Sequence, residues 1–186
     1  MKRLTIATIV EGHGEVEALP VLLRMLRPEW NYAKPVRAKR YQLVLKDNKY
    51  SLEHYMRIAA SNIQPTGGGL LILIDADDDC PATLGPELQR RADSAMSHIR
   101  TLVVLATREF ESWLIAGGAI TDAPLSPAPD DLPNPKAVVK KHYPKYREPV
   151  DQPSLTSRID LDKASTSSPS FGKLERCLRW FEEQLS

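Results

Sequence analysis

Two kinds of apolar run divide this chain. Residues 4–10 (LTIATIV), 70–74 (LLILI) and 101–107 (TLVVLAT) are short, rich in β-branched residues and leucine, and almost without polar interruption. Runs of that kind suit strands buried on both faces, as in a parallel sheet. Between them apolar residues recur at helical spacing over 16–26, 51–63 and 84–96, and EFESWLI at 109–115 begins another helix. Ser51 stands where it can cap its helix, with Glu53 in the first turn. Residues 36–45 read as a further strand, second in chain order, whose many basic residues imply one wet face. A glycine-rich lead-in, Thr66 to Gly69, precedes the third strand. Strand and helix thus alternate four times. The pattern predicts an α/β domain with a mainly parallel four-stranded sheet flanked by helices.

The composition changes at residue 121. TDAPLSPAPDDLPNP, 121–135, is proline-rich and reads as a loop. Short helices are expected at 136–142 and 171–185. In the second, Ser170 is a possible cap, and Phe171, Leu174, Leu178 and Phe181 share one face. Residues 1–120 therefore form the α/β domain, and 121–186 a loop and helical extension packed on the same domain. No internal repeat is present. Hydrophobic residues make up 42% of the chain, enough for a core, and the net charge of +1 excludes a generally cationic surface. A polyanion would have to be met through local patches or metal ions. Cys80 and Cys177 have no metal-ligand spacing and imply no disulfide framework. No apolar run is long enough for a bilayer span. Glu11 and Glu15 end the first apolar run too early for a signal peptide. A cytoplasmic protein without membrane association is expected.

Acids cluster where strands end. Glu11 follows the first, with Glu15 one helical turn later. Asp75, Asp77, Asp78 and Asp79 follow the third. Glu109 and Glu111 follow the fourth. In an open parallel sheet all three points lie on the ligand-binding edge. Asp75 and Asp77 flank Ala76, and residues two apart in extended backbone point the same way. Such a pair suits a hard divalent cation, which takes one or two carboxylates together with water and substrate phosphates. Each acid also has an ordinary reading: a loop carboxylate in water, or a first-turn glutamate on a helix dipole. Three clusters at three strand ends favour a shared site.

At these residues the sequence resembles the Toprim domain of topoisomerases, primases and OLD-family nucleases. Glu11-Gly12 with Glu15 and Asp75-x-Asp77 carry that resemblance, and the E-G-x-x-E form is nearest the OLD type. The rest of the chain resembles a bacterial Toprim-like family of unknown function, through REFESWL at 108–114, Lys145-Tyr146 with Pro153, Ile159-Asp160-Leu161, and SPSF at 168–171. The resemblance implies a Toprim-like fold and Mg²⁺- or Mn²⁺-dependent phosphoryl transfer, as in a nuclease acting on DNA or RNA, with a role in phage defence. It implies Glu11 as general acid, general base or metal ligand, Glu15 as the second glutamate of the motif, and Asp75 and Asp77 as metal ligands. Glu109 and Glu111 are further metal-ligand candidates from their strand-end position. Relatives often carry a hydroxyl residue before the second glutamate, where this chain has Gly14. The OLD-type ATPase domain is not present in this sequence, so any ATP-driven role needs a separate partner.

The remaining candidates are less determined. Asp78, Asp79 and Arg108 are either an outer shell or solvated loop, and Arg108 can pair with Glu111 or meet a phosphate. His13 is either a ligand or an exposed turn residue. Lys136, Lys140, Lys141, Lys145 and Arg147 form a basic run interleaved with Tyr143 and Tyr146, which suits nucleic-acid contact, through Lys140, Lys145 and Arg147 above all, or simply a solvated face. OLD-type nucleases are expected to place a lysine near their metals, for which Lys163 and Lys173 are candidates; Lys173 is also a possible nucleic-acid contact. The alternative to an enzyme is a low-activity regulatory or binding subunit that works with a separate ATPase. A haloacid-dehalogenase-type phosphatase also uses D-x-D, but after its first strand, where this chain has Glu11.

Overall fold

The computed structural model describes residues 4–45, 50–63, 67–121 and 126–185. Thr66 and residues 122–125 of the proline-rich stretch, on which two of the expectations above bear, lie outside them. Three full-length parallel strands form the frame: β1 (Thr5–Val10), β4 (Gly68–Asp75) and β5 (Thr101–Ala106). β4 lies between the other two, and its register pairs Ile9 with Ile72 and Asp75 with Ala106. Two short strands complete the sheet on the free edge of β1. These are β2 (Asn31–Tyr32), against its beginning, and β3 (Val36–Arg37), against its end. All pairings are parallel, as the continuous apolar runs require when both faces are covered.

The alternation of side chains sorts the strands between two cores. Ile6, Val10, Leu71, Leu73 and Val104 face one way; Ala7, Ile9, Leu70, Ile72, Ile74 and Leu105 face the other. The first face is covered by α1 (Glu15–Leu26), α5 (Glu111–Ala116) and the helices beyond residue 134: α6 (Pro135–His142), α7 (Glu148–Thr156), α8 (Leu161–Ser167) and α9 (Pro169–Leu185). The second face carries α2 (Arg40–Val44), α3 (Leu52–Ala60) and α4 (Pro81–Ala95). The expected stripe on α9 is present: Phe171, Leu174, Leu178 and Phe181 are all fully buried in the first core. At about 1.5–3 kcal/mol for each such side chain, this stripe is a principal tether of the C-terminal region. This is an α/β fold of Rossmann-like character, with a five-stranded parallel sheet between two layers of helices.

Several expectations need correction. The four-stranded sheet has five strands, because a two-residue strand such as β2 leaves no periodicity to read. The strand expected over 36–45 stops at Arg37. Ala38 donates its N–H to the Val10 carbonyl at 3.0 Å, and β1 ends there, so no further backbone is available for pairing. The chain turns instead into α2, whose start is closed by the Lys39 N–H donating to the Gln42 side chain at 2.9 Å. Ser51 makes no capping hydrogen bond to α3. Ser168 rather than Ser170 closes the first turn of α9, accepting from the Phe171 N–H at 3.1 Å. The helices α7 and α8 went unanticipated; Pro149 and Pro153 disguise the first, and the serine- and threonine-rich sequence disguises the second.

Candidate functional site

The site edge is built where β1, β4 and β5 end. β1 delivers Glu11, and the chain then folds so tightly through Gly12 that its N–H donates to the Glu15 carboxylate. A Cβ at Gly12 would collide with that carboxylate, with its Cδ 2.9 Å away. Gly14, just before α1, is closed off in turn by α7. A Cβ there would run into the Gln152 amide, whose Cδ would lie 2.7 Å away, and come within 3.2 Å of the Glu148 carbonyl. Glu15 is thereby drawn under the turn and is 5% exposed.

β4 delivers Asp75, and the acids after it leave the strand through a left-handed residue, Asp77 (φ 49°). Arg108, at the end of β5, is left-handed as well (φ 63°). The two turns are stapled together: Ala76 donates to the Ala106 carbonyl at 2.9 Å, and Asp77 to the Arg108 carbonyl at 3.0 Å. Non-glycine residues in this region cluster at functional sites. Arg108 pairs with Asp78, not with Glu111.

Two cations reach into the acids, and sequence reading singled out neither for the role. Arg40, the first residue of α2, pairs with Asp79, stands 3.3 Å from Asp77 and 3.8 Å from Glu11, and donates to the carbonyls of Asp75 and Ala76. Lys136, in the first turn of α6, bridges Glu109 at 3.4 Å and Glu148 at 3.1 Å. Its own N–H also donates to Glu109 at 2.9 Å. Arg40 was hidden by its assignment to a strand, and Lys136 by its membership of a basic run. Lys136 was the nearer to being found, since it follows Pro135, which opens a helix.

These cations leave part of the negative charge uncompensated. Glu111, 1% exposed, accepts from the buried Tyr146 hydroxyl at 2.9 Å. Burial raises its proton affinity to a pKa of about 7, although Lys136 and the Tyr146 hydrogen bond oppose the shift. Burial raises Glu15 too, with the Gly12 N–H opposing and Glu11 and Glu148 adding to it. Asp75 is held well above the usual carboxylate range, by burial first and then by Glu15, Glu111, Glu11 and Asp77. Glu11 is raised by burial against the pull of Arg40, and its Oε2 is buried without a hydrogen-bond partner in the protein. Burial pulls Lys136 down, but Glu111, Glu148 and Glu109 outweigh it and hold the ammonium charged above the ordinary lysine range. Like charges gathered out of water favour the protonated forms unless a cation joins them.

Glu11, Glu15, Asp75, Asp77, Glu109 and Glu111 thus share one edge. Asp79 is held by Arg40, and Asp78, fully exposed, is held by Arg108 on the outside. Among the described residues, no three His, Cys, Asp or Glu side chains converge closely enough to hold a metal ion as they stand. The donor set nevertheless fits one: hard oxygen ligands, in excess of their counter-ions, with one buried oxygen, Glu11 Oε2, that accepts no hydrogen bond. His13 is exposed. Lys145 and Arg147 line an open cleft of about 680 Å³ with Tyr143 and Tyr146, next to Glu111, and Lys140 is exposed on α6. Lys173 lies elsewhere, in a cleft with Arg100, Thr101 and Trp180 at the beginning of β5. Lys163 stands on α8, and Lys136 pairs with the carboxylates of Glu109 and Glu148. Cys80 and Cys177 are both free thiols. No helix among the described residues is long and apolar enough to cross a membrane.

Other residues of the segments REFESWL and SPSF hold the fold together. From REFESWL, Phe110, Trp113 and Leu114 are buried in the first core, and Ser112 donates to the Thr107 carbonyl at 2.8 Å. From SPSF, Ser170 accepts from the Trp113 indole at 2.8 Å, and its N–H donates to Asp130 at 2.8 Å.

Fold and edge together define a parallel-sheet α/β protein with a buried, acid-rich, partly ion-paired site at the carboxyl ends of its strands. The chain belongs to the family described as Domain of unknown function (DUF4276), which matches residues 10–179. No curated protein and no solved structure matches it.

Proposed function

We propose that this chain is a divalent-metal-dependent phosphoryl-transfer enzyme of Toprim-like fold, a nuclease hydrolysing DNA or RNA phosphodiesters. One observation carries the reading: Glu15 and Glu111 are buried and Asp75 is half-buried beside them without full compensation, next to a Glu11 Oε2 that accepts no hydrogen bond and has the Arg40 guanidinium 3.8 Å away. A group of this kind is expensive for the fold and chemically suited to a Mg²⁺ or Mn²⁺ ion. Glu11 and Asp75 are the principal ligands in this reading, with Asp77, Glu109 and Glu111 as further ones. When bound, such an ion polarises phosphoryl oxygens and activates water. The protein's own groups supply the rest. Glu15, or Glu11 where it does not itself hold the ion, would accept the proton of the attacking water, as an acid of raised proton affinity does well near neutrality. Lys136 offers positive charge to a phosphate oxygen, and Tyr146 orients Glu111 through its hydroxyl. Purified protein incubated with Mn²⁺ or Mg²⁺ and single- or double-stranded DNA or RNA should cleave at least one of them, and Asp75→Ala should abolish cleavage. Absence of cleavage on all four, with no metal-dependent shift in melting temperature, would refute the proposal.

The pairing of Arg40 with Glu11, Asp77 and Asp79 favours a second reading. With its acids held by an internal cation, the chain would be a low-activity subunit that a separate ATPase brings into an active arrangement, in phage defence or a similar task. Cleavage by the isolated chain at ordinary nuclease rates would eliminate it.

A further inference from the structure

Beside the acid-rich edge runs a strip with no acids. Residues 31–45 contain Lys34, Arg37, Lys39 and Arg40 and neither Asp nor Glu. β3 places Arg37 opposite Val10, the residue before Glu11, so the strip borders the site directly. Arg37 and Lys39 are exposed while Ala38 between them is buried, the alternation of an extended segment, so the two cations project the same way. Lys34 is exposed as well, and among the described residues none of these three forms an ion pair. Arg40 alone turns inward, onto Glu11, Asp77 and Asp79. Tyr41 follows it, a residue 49% exposed, with the Lys39 ammonium 5.9 Å from its ring centroid.

Three exposed cations that form no ion pair among the described residues, beside a half-exposed tyrosine whose ring already lies near the Lys39 ammonium, meet the chemical requirements of one class of ligand. A polyanionic backbone pairs with the cations, and an unpaired base stacks on the ring. A duplex keeps its base faces stacked on one another and offers none to a tyrosine. The acid edge itself repels phosphates, so affinity must come from its flanks. The sheet puts α2 on one face of that edge and the α6–α7 cleft with Lys145 and Arg147 on the other. We infer that Lys34, Arg37, Lys39 and Tyr41 form a binding path for single-stranded nucleic acid that leads into the carboxylate edge. The inference rests on the hydrolytic reading above and assigns its substrate form.

The test is fluorescence anisotropy of labelled twenty-nucleotide oligo-dT, oligo-U and a DNA duplex of the same length, with the full chain in EDTA across a salt series. Single strands should bind more tightly than the duplex. Arg37→Ala/Lys39→Ala should weaken single-strand binding about tenfold at low salt and reduce the salt slope by about 1.4, for two lost phosphate contacts. Tyr41→Ala should weaken it by about fivefold or more, and Tyr41→Phe should retain it. Circular dichroism checks that each variant is folded, as expected for exposed positions. No single-strand binding by the parent, duplex binding of equal strength, or an unchanged affinity and salt slope in the double variant would each overturn the inference. Because binding is read without metal, a chain that binds as stated but cleaves nothing refutes the hydrolytic reading alone. A chain that cleaves but is indifferent to these substitutions refutes the strip alone.

Discussion

Gly14 shows how closely the acid-bearing turn is held by a part of the chain far away in sequence. Its missing side chain is the seat of Gln152, which is fully buried on α7. A serine there would drive its Cβ into that amide. Gly14→Ser is therefore expected to destabilise the protein by about 1–3 kcal/mol, the usual cost of overpacking. Adding Gln152→Ala should recover much of the loss, since it removes the obstacle. Urea unfolding of the two single variants and the double variant measures the coupling, and strictly additive effects would disprove the contact. At this scale the sequence disclosed the acids but not their counter-ions. Glu11, Asp75 and Glu109 stand at strand ends, which apolar runs make visible. Arg40 and Lys136 reach the site only through the placement of α2 and α6, and one positively charged residue among many carries no mark of where its head group will lie.

Elements were legible in proportion to their apolar pattern. β1, β4 and β5 announce themselves as unbroken runs because both faces are buried, and α9 through its four-residue stripe. β2 and β3 are too short for a period, and α7 contains two prolines that read as breaks. The elements beyond residue 120 are joined by polar contacts that no periodicity encodes. Asp130, in the 3₁₀ turn Pro129–Asp131, accepts from the Ser168 hydroxyl at 2.7 Å, the Ser170 N–H at 2.8 Å and the Ser170 hydroxyl at 3.1 Å. Ser170 in turn holds the Trp113 indole. Asp130 thus ties the proline-rich stretch, the start of α9 and the core of α5 into one network. Asp130→Ala should cost about 1–3 kcal/mol, because it leaves a backbone N–H and two hydroxyls with less than their full set of partners. Asp130→Asn, which keeps the acceptor oxygen, should cost less. An alanine variant as stable as the parent in chemical denaturation would show the network to be unimportant.

For the molecule as a whole, the acid-rich edge sets a pH dependence of stability. Glu111 has a folded pKa of about 7 against an ordinary value of 4.5, and Glu11, Glu15 and Asp75 are shifted the same way. An acid whose pKa is raised on folding binds its proton more tightly in the folded state. Its favourable contribution is complete below the unfolded pKa and is lost as pH rises through the folded one. The metal-free protein should therefore become less stable between about pH 4.5 and 7.5. Glu111→Gln keeps an acceptor for Tyr146 and cannot ionise. It should flatten the profile and, at pH 8, be more stable than the parent by up to about 3 kcal/mol, the free-energy equivalent of that shift. If a divalent ion belongs among these carboxylates, Mg²⁺ or Mn²⁺ should restore the stability lost at high pH. Their effect on melting temperature would then be larger at pH 8 than at pH 5.5, where protons already compensate the charge. Melting curves at the two pH values, with EDTA or millimolar Mn²⁺, separate the outcomes. A parent profile that is flat from pH 5.5 to 8 would contradict the buried-acid account itself. A falling profile that Mn²⁺ leaves unchanged would leave that account standing and remove the metal from the site.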